Sequence, residues 1–222
     1  MNRFSITFCF LCLGLFLFPG AALAKGKVRV FILAGQSNME GYGQVRSLEH
    51  LGNHPKYGHL LKKLKKTDGG WAVRKDVSVA WKSRQGKKKG PLSVGWGASD
   101  QQLGPELMFG TIMGELYEEH VLLIKVAWGG KSVWCDFRSP SAGEMTWDEK
   151  RVLKRDNFLK PGLFYRRMVA EIKEGLANIK DVVPGYEGQG YELGGLAWFQ
   201  GWNDFSEWHL QLDKKPVGLG LI

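Results

Sequence analysis

Cysteine is nearly absent from this sequence, and what there is cannot form a staple. Of three cysteines in 222 residues, Cys9 and Cys12 fall in an N-terminal apolar run, which leaves Cys135 as the sole thiol beyond it. One thiol makes no internal disulfide, so a disulfide-dependent scaffold is excluded whatever the redox compartment. Long apolar runs are also scarce. The longest, Phe4 to Phe18, falls short of the roughly 20 residues of a spanning helix, and nothing later comes closer. Acidic charge is in deficit, with 22 Asp and Glu against 31 Lys and Arg.

The N-terminus carries Arg3, then the apolar run, a Pro19-Gly20 break and the small residues Ala22-Leu23-Ala24. That layout predicts a secretory signal peptide over residues 1–24, and its rival, an uncleaved membrane anchor, would need a longer run. The expectation is an exported protein, periplasmic or extracellular, with residues 25–222 forming one domain. The basic excess is clustered in Lys62-Lys63, Lys65-Lys66 and Lys87-Lys88-Lys89. Such short runs read as solvated faces or loop tips, so no nucleic-acid partner is expected. Attraction to acidic glycans stays open.

Val28 to Ala34 is a β-branched, apolar run ending at Gly35, the pattern of a buried strand entering a turn. Asp76 to Trp81, His120 to Ala127 and Leu196 to Phe199 read as further strands. Between them, Leu107, Ile112 and Leu116 recur at helical spacing after Gly104-Pro105-Glu106, where Pro and Glu suit a first turn. Glu106 and Glu115 are read as helix-dipole and surface residues. Leu163 to Ile179 reads as an amphipathic helix. Strands alternating with helices predict βαβ units and an α/β fold with a mainly parallel sheet. Residues 41–75 and 131–160 read as loop insertions.

Ligands of such sheets bind beyond the carboxyl ends of the strands. Three chemically loaded segments fall there: Gln36-Ser37-Asn38, Trp128-Gly129-Gly130-Lys131-Ser132, and Gln200-Gly201-Trp202-Asn203-Asp204. A serine in a tight strand-to-helix turn exposes its hydroxyl, but it becomes a nucleophile only with a base to take its proton and donors to hold an oxyanion. Gly35-x-Ser37-x-Met39 is not G-x-S-x-G, so an ordinary α/β-hydrolase is not indicated. Nor is a phosphate loop, because Gly129-Gly130-Lys131-Ser132 has Lys125 where the first Gly is needed. His50, His54 and His59 lack accompanying acids or thiols in a ligand pattern, and no metal or cofactor is expected. Trp128, Trp134 and Trp202 fall in the same strand-end loops, where an aromatic face is a candidate to stack on a ligand ring.

Phe31-Ile32-Leu33-Ala34-Gly35-Gln36-Ser37-Asn38-Met39-Glu40-Gly41, with Trp198-Phe199-Gln200-Gly201-Trp202-Asn203-Asp204 far downstream, resembles the sialate O-acetylesterase and acetylxylan esterase branch of the SGNH hydrolases. The resemblance runs from about Val28 to Asp204. It implies a flavodoxin-like three-layer α/β/α sandwich and metal-free removal of acetyl groups from carbohydrates through an acyl-enzyme. Ser37 matches the nucleophile, with its own N–H, Gly104 and Gln200 as oxyanion-hole candidates. Gln36, Asn38, Trp128, Gly129, Trp202, Asn203 and Asp204 are the substrate-binding candidates.

The family often has Glu where this chain has Trp202. It also takes its general base from an Asp-x-x-His-like segment near the C-terminus. Phe205 to Ile222 contains none, since the residue three before His209 is Ser206. No base is therefore assigned, and the expectation is an esterase impaired at that step, with its last strand and helix missing through an early stop, a frameshift or a wrong gene model. The alternative is an exported, non-catalytic carbohydrate-binding protein that keeps the esterase pocket. Oligomeric state is not legible.

Overall fold

The computed structural model of the chain describes residues 26–83, 86–145 and 161–204. The expected signal segment 1–24, Trp147, and the stretch 205–222 with Trp208 and His209 lie outside the described residues. In chain order the elements are β1 (Val28–Gly35), α1 (Ser37–Glu40), β2 (Gly43–Gln44), α2 (Leu48–Leu51), α3 (Leu61–Leu64), β3 (Arg74–Ser83), β4 (Gly86–Leu92), β5 (Gln102–Leu103), α4 (Glu106–Leu116), β6 (Val121–Ala127), α5 (Leu163–Ala177) and β7 (Tyr191–Phe199).

Five strands form one sheet in the order β4-β3-β6-β1-β7. The pairs β3/β6, β6/β1 and β1/β7 are parallel, and β4 returns antiparallel along β3. Side chains alternate across the sheet with the two-residue period of a strand. Val28, Val30, Ile32 and Ala34 of β1 join Leu122, Ile124 and Val126 of β6 on one face, under Phe164 and Met168 of α5. Phe31 and Leu33 join Val121 and Leu123 on the other face, where Phe109 and Met113 of α4 pack. Helices thus cover both faces, giving the three-layer α/β sandwich. Burial on both sides explains why β1 and β6 read as nearly continuous apolar runs.

With the β3–β4 hairpin set aside, β6-β1-β7 follows the 2-1-3 opening of the flavodoxin-like strand order, whose switch point lies between β1 and β7. Within the hairpin, β3 contains the expected strand Asp76 to Trp81, whereas β4 was not expected. Lys87-Lys88-Lys89 lie within β4, an edge strand that also contains Pro91, and lysine and proline are the residues that keep a sheet edge from pairing further. Strand β7, Tyr191–Phe199, is longer than the expected Leu196 to Phe199. Gly194 and Gly195 lie inside the strand, at a register shift beside Phe31, and a Cβ on Gly194 would stand 2.5 Å from the Phe31 ring. Leu193 and Leu196 of β7 are 61% and 57% exposed, in a strand at the sheet's end among the described residues. Among those residues no helix is long and apolar enough to cross a membrane.

At Gly35 the backbone of β1 passes tightly against that of β7. Gly35 has φ of 150°, and a Cβ there would lie 2.2 Å from the carbonyl oxygen of Phe199, a backbone atom that cannot rotate away. Gly35→Ala is expected to cost more than about 3 kcal/mol by forcing the two strands apart. Urea unfolding measures this, and an unchanged midpoint would contradict the packing described.

Candidate active site

The carboxyl ends of β6, β1 and β7 are adjacent, with Gly35 paired to Ala127 on one side and to Phe199 on the other. The turns that leave these ends are therefore neighbours, and side chains stitch them together. Gln36, fully buried, is the first stitch. Its Nε2 donates to the carbonyl of Gly201 at 2.7 Å, and its Oε1 accepts from the Ser37 N–H at 2.6 Å and from the Ser37 hydroxyl. These partners fix the amide orientation, since the reverse would set donor against donor. Ser37 opens the single turn α1 and is partly exposed, while Asn38 is exposed. A Cβ on Gly201 would lie 3.2 Å from Asn38 Nδ2, so that side chain sits against the β7 turn.

The second stitch joins the β7 turn to the loop after β6. Gln200 Nε2 donates to the Lys131 carbonyl at 2.8 Å and to Asp204 Oδ2 at 2.9 Å. Asp204 Oδ1 accepts the backbone N–H groups of Val133 and Trp134 at 2.8 and 2.9 Å. Within that loop, Asp136 accepts from the Ser132 N–H, and the Arg138 guanidinium reaches the carbonyls of Trp134, Ala142 and Gly143.

The third stitch lies beneath the serine and was not anticipated. Lys125 of β6 and Glu106 of α4 form an ion pair of 2.7 Å with both side chains fully buried. Lys125 Nζ also donates to the carbonyls of Glu40 and Trp96, at 2.8 and 2.7 Å, and Glu106 Oε1 accepts the Gly104 N–H at 2.8 Å. Burial pushes the lysine below its ordinary pKa, while the Glu106 carboxylate beside it pulls the other way.

A family model described as carbohydrate esterase, sialic acid-specific acetylesterase matches residues 27–213. The chain belongs to that family. No curated protein matches it. Among solved structures, a protein from Arabidopsis thaliana is 16% identical, with a TM-score of 0.41, over 81% of this chain and 59% of its own. A carbohydrate acetylesterase from Xanthomonas citri is 13% identical, with a TM-score of 0.39, over 79% of this chain and 33% of its own. The chain thus spans less than two thirds of either neighbour's length.

Set against the expectations for this esterase family, the turns converge but several side chains take other parts. All three expected oxyanion donors are already engaged: the Ser37 N–H by Gln36, the Gly104 N–H by Glu106, and both Gln200 amide hydrogens by Lys131 and Asp204. Asp204 is a brace across two loops and not a free substrate group. Trp128 and Trp134 are each 4% exposed, and Gly129 is buried. Trp202 is 74% exposed. It is the one non-glycine residue with positive φ among those described, a strained conformation of the kind that gathers at functional sites. Glu106 is a buried ion-pair partner and not a surface residue, whereas Glu115 does face solvent and pairs with Lys63.

No histidine among the described residues bonds to Ser37. His54 holds the backbone of Lys56 and Tyr57, and His120 meets the Ser78 hydroxyl at 2.9 Å. His120 precedes the amino end of β6, about 20 Å from the rim at roughly 3.3 Å per strand residue. Burial lowers its pKa, which favours the neutral ring there. Among the described residues no group of three or more His, Cys, Asp or Glu could hold a metal. A cleft of about 400 Å³ between the β3–β4 hairpin and α5 is lined by Lys82, Lys87, Glu171 and Glu174, and none of the rim residues line it.

The bracing role of Asp204 is testable. Asp204→Ala leaves the Val133 and Trp134 N–H groups and one Gln200 hydrogen without their acceptor. A loss of about 2–3 kcal/mol in unfolding free energy is expected by chemical denaturation. Stability equal to that of the unaltered chain would return Asp204 to the role of a free ligand group.

Proposed function

We propose that this carbohydrate esterase family member removes O-acetyl groups from sugars through an acyl-enzyme on Ser37. The observation that carries the reading is the placement of a partly exposed serine hydroxyl at the β1/β7 switch point, in the first turn after a buried strand. In the proposed reaction Ser37 Oγ bonds to the acetyl carbon, the carbon–oxygen bond to the sugar breaks, and the hydroxyl proton ends on the departing sugar oxygen. Water then releases acetate and restores the serine. Exposed Trp202, with Asn203 beside it, is proposed to carry the sugar ring. The N-terminal pattern of residues 1–24 supports export, and the substrate is accordingly an acetylated glycan outside the cytoplasm.

The weak point of the described chemistry is proton removal. Ser37 Oγ donates to an amide oxygen, which holds a proton donor but is no base, and no imidazole among the described residues reaches it. Loss of one member of a nucleophile and base pair leaves about 10³–10⁴-fold catalysis over water from binding and oxyanion contacts. A slow enzyme is therefore the expectation unless residues outside those described supply the base.

One observation favours a second reading, a carbohydrate-binding protein without turnover: every expected oxyanion donor is internally bonded. The two readings part in one experiment. Acetate release from acetylated sugars and from p-nitrophenyl acetate is measured for the chain, Ser37→Ala and Trp202→Ala, with sugar binding followed by calorimetry. With a base supplied from outside the described residues, the esterase reading predicts that Ser37→Ala lowers turnover by at least about 10³-fold. Turnover indifferent to Ser37, with binding lost only in Trp202→Ala, supports the binding protein instead.

A further inference from the structure

Lys125 is the only charged residue of β6, in a strand whose other members are Val, Leu, Ile and Ala. A leucine or methionine there would fill the core at less desolvation cost. Buried ion pairs are weak stabilisers, and well-packed apolar replacements are often as stable or more so. What an apolar side chain lacks is directed hydrogen bonding, and the bonds of this ammonium all run toward the serine's surroundings. Its three N–H donors meet three acceptors: the carbonyl of Glu40, the carbonyl of Trp96 and Oε2 of Glu106. The Trp81 ring lies 4.2 Å from Nζ, a further favourable site for a cation.

Glu40 is the last residue of α1, three positions after Ser37. A helix of one turn has almost no stability of its own, because nucleation is its costly step. Its two ends must be held from outside. At the leading end the Gln36 side chain holds Ser37, and at the trailing end Lys125 holds the Glu40 carbonyl while the Ala98 N–H holds that of Gly41. Glu106 fixes the lysine with one oxygen and the Gly104 turn with the other.

We propose that Lys125, anchored by Glu106, is a positioning residue for Ser37: it sets the orientation of α1 from below and joins that turn to the Trp96 and Gly104 segments without touching substrate. The proposal rests on the reading of Ser37 as nucleophile, and its test separates the two.

The full chain is compared with Lys125→Met and with the double variant Lys125→Met/Glu106→Gln. The single variant strands a buried carboxylate and is expected to unfold at lower temperature. The double variant removes that stranded charge while its amide oxygen still accepts from Gly104, so thermal stability is expected to recover relative to the single variant. Positioning, by contrast, is not restored. Amide hydrogen exchange in peptides covering 36–41 and 95–104 is expected to stay at least about tenfold faster than in the unaltered chain, with 163–177 unchanged. Ser37-dependent kcat is expected to stay down by about 10²-fold with KM nearly constant, as for a displaced nucleophile.

Recovery of kcat and of exchange protection at 36–41 along with stability would overturn the proposal, making the pair structural only. A double variant that fails to fold overturns it too, since the pair would then be holding the sheet. If the unaltered chain shows no Ser37-dependent hydrolysis, the esterase reading fails by itself. The exchange measurement still decides whether Lys125 orders the turn.

Discussion

One ammonium group stands at the point where the sheet, the helix α4 and the loops of the rim meet. The side chain of Lys125, from the central strand β6, is fully buried, and three acceptors from three separate segments close around it. Taking this charge out of water costs several kcal/mol, which only full pairing and hydrogen bonding can offset. The arrangement is therefore all or nothing: the Glu40 turn, the Trp96 loop and the first turn of α4 must each be in place for the charge to be tolerated. A core built this way couples the sheet's interior to the position of the serine above it.

Above that clamp the rim is bonded to itself. Gln36, Gln200 and Asp204 link the turns after β1, β6 and β7, and they do so with the very groups a substrate would want. A net protein hydrogen bond is worth about 1 kcal/mol, so exchanging two or three of them for contacts to a ligand is an affordable rearrangement. The same fact explains why the serine's proton has an acceptor that cannot remove it.

Much of the architecture was legible because the signals were physical and local. The apolar runs of β1 and β6 announced buried parallel strands, and Pro105 and Glu106 marked the start of α4. The convergence of the three rim segments followed from strand polarity alone. What escaped detection was set by partners distant in sequence. Lys125 looked like an interruption in an apolar strand, and Glu106 like a dipole residue, because neither spacing nor composition shows that two charges 19 positions apart are buried together. Strand β4 hid behind a lysine run and a proline, residues that mark an edge as readily as a loop. The roles of Trp128 and Asp204 depended on burial and on tertiary hydrogen bonds, which a motif does not encode.

The most direct test of this account is the charge state of the Lys125 amine, followed by NMR of lysine labelled with ¹³C at Cε and ¹⁵N at Nζ. Three acceptors around Nζ require three hydrogens, so at neutral pH the chemical shifts of an ammonium are predicted, with slowed solvent exchange, and conversion toward the neutral amine in Glu106→Gln. A neutral Lys125 in the unaltered chain at pH 7, or shifts indifferent to Glu106, would contradict the clamp on which the arrangement around Ser37 is said to depend.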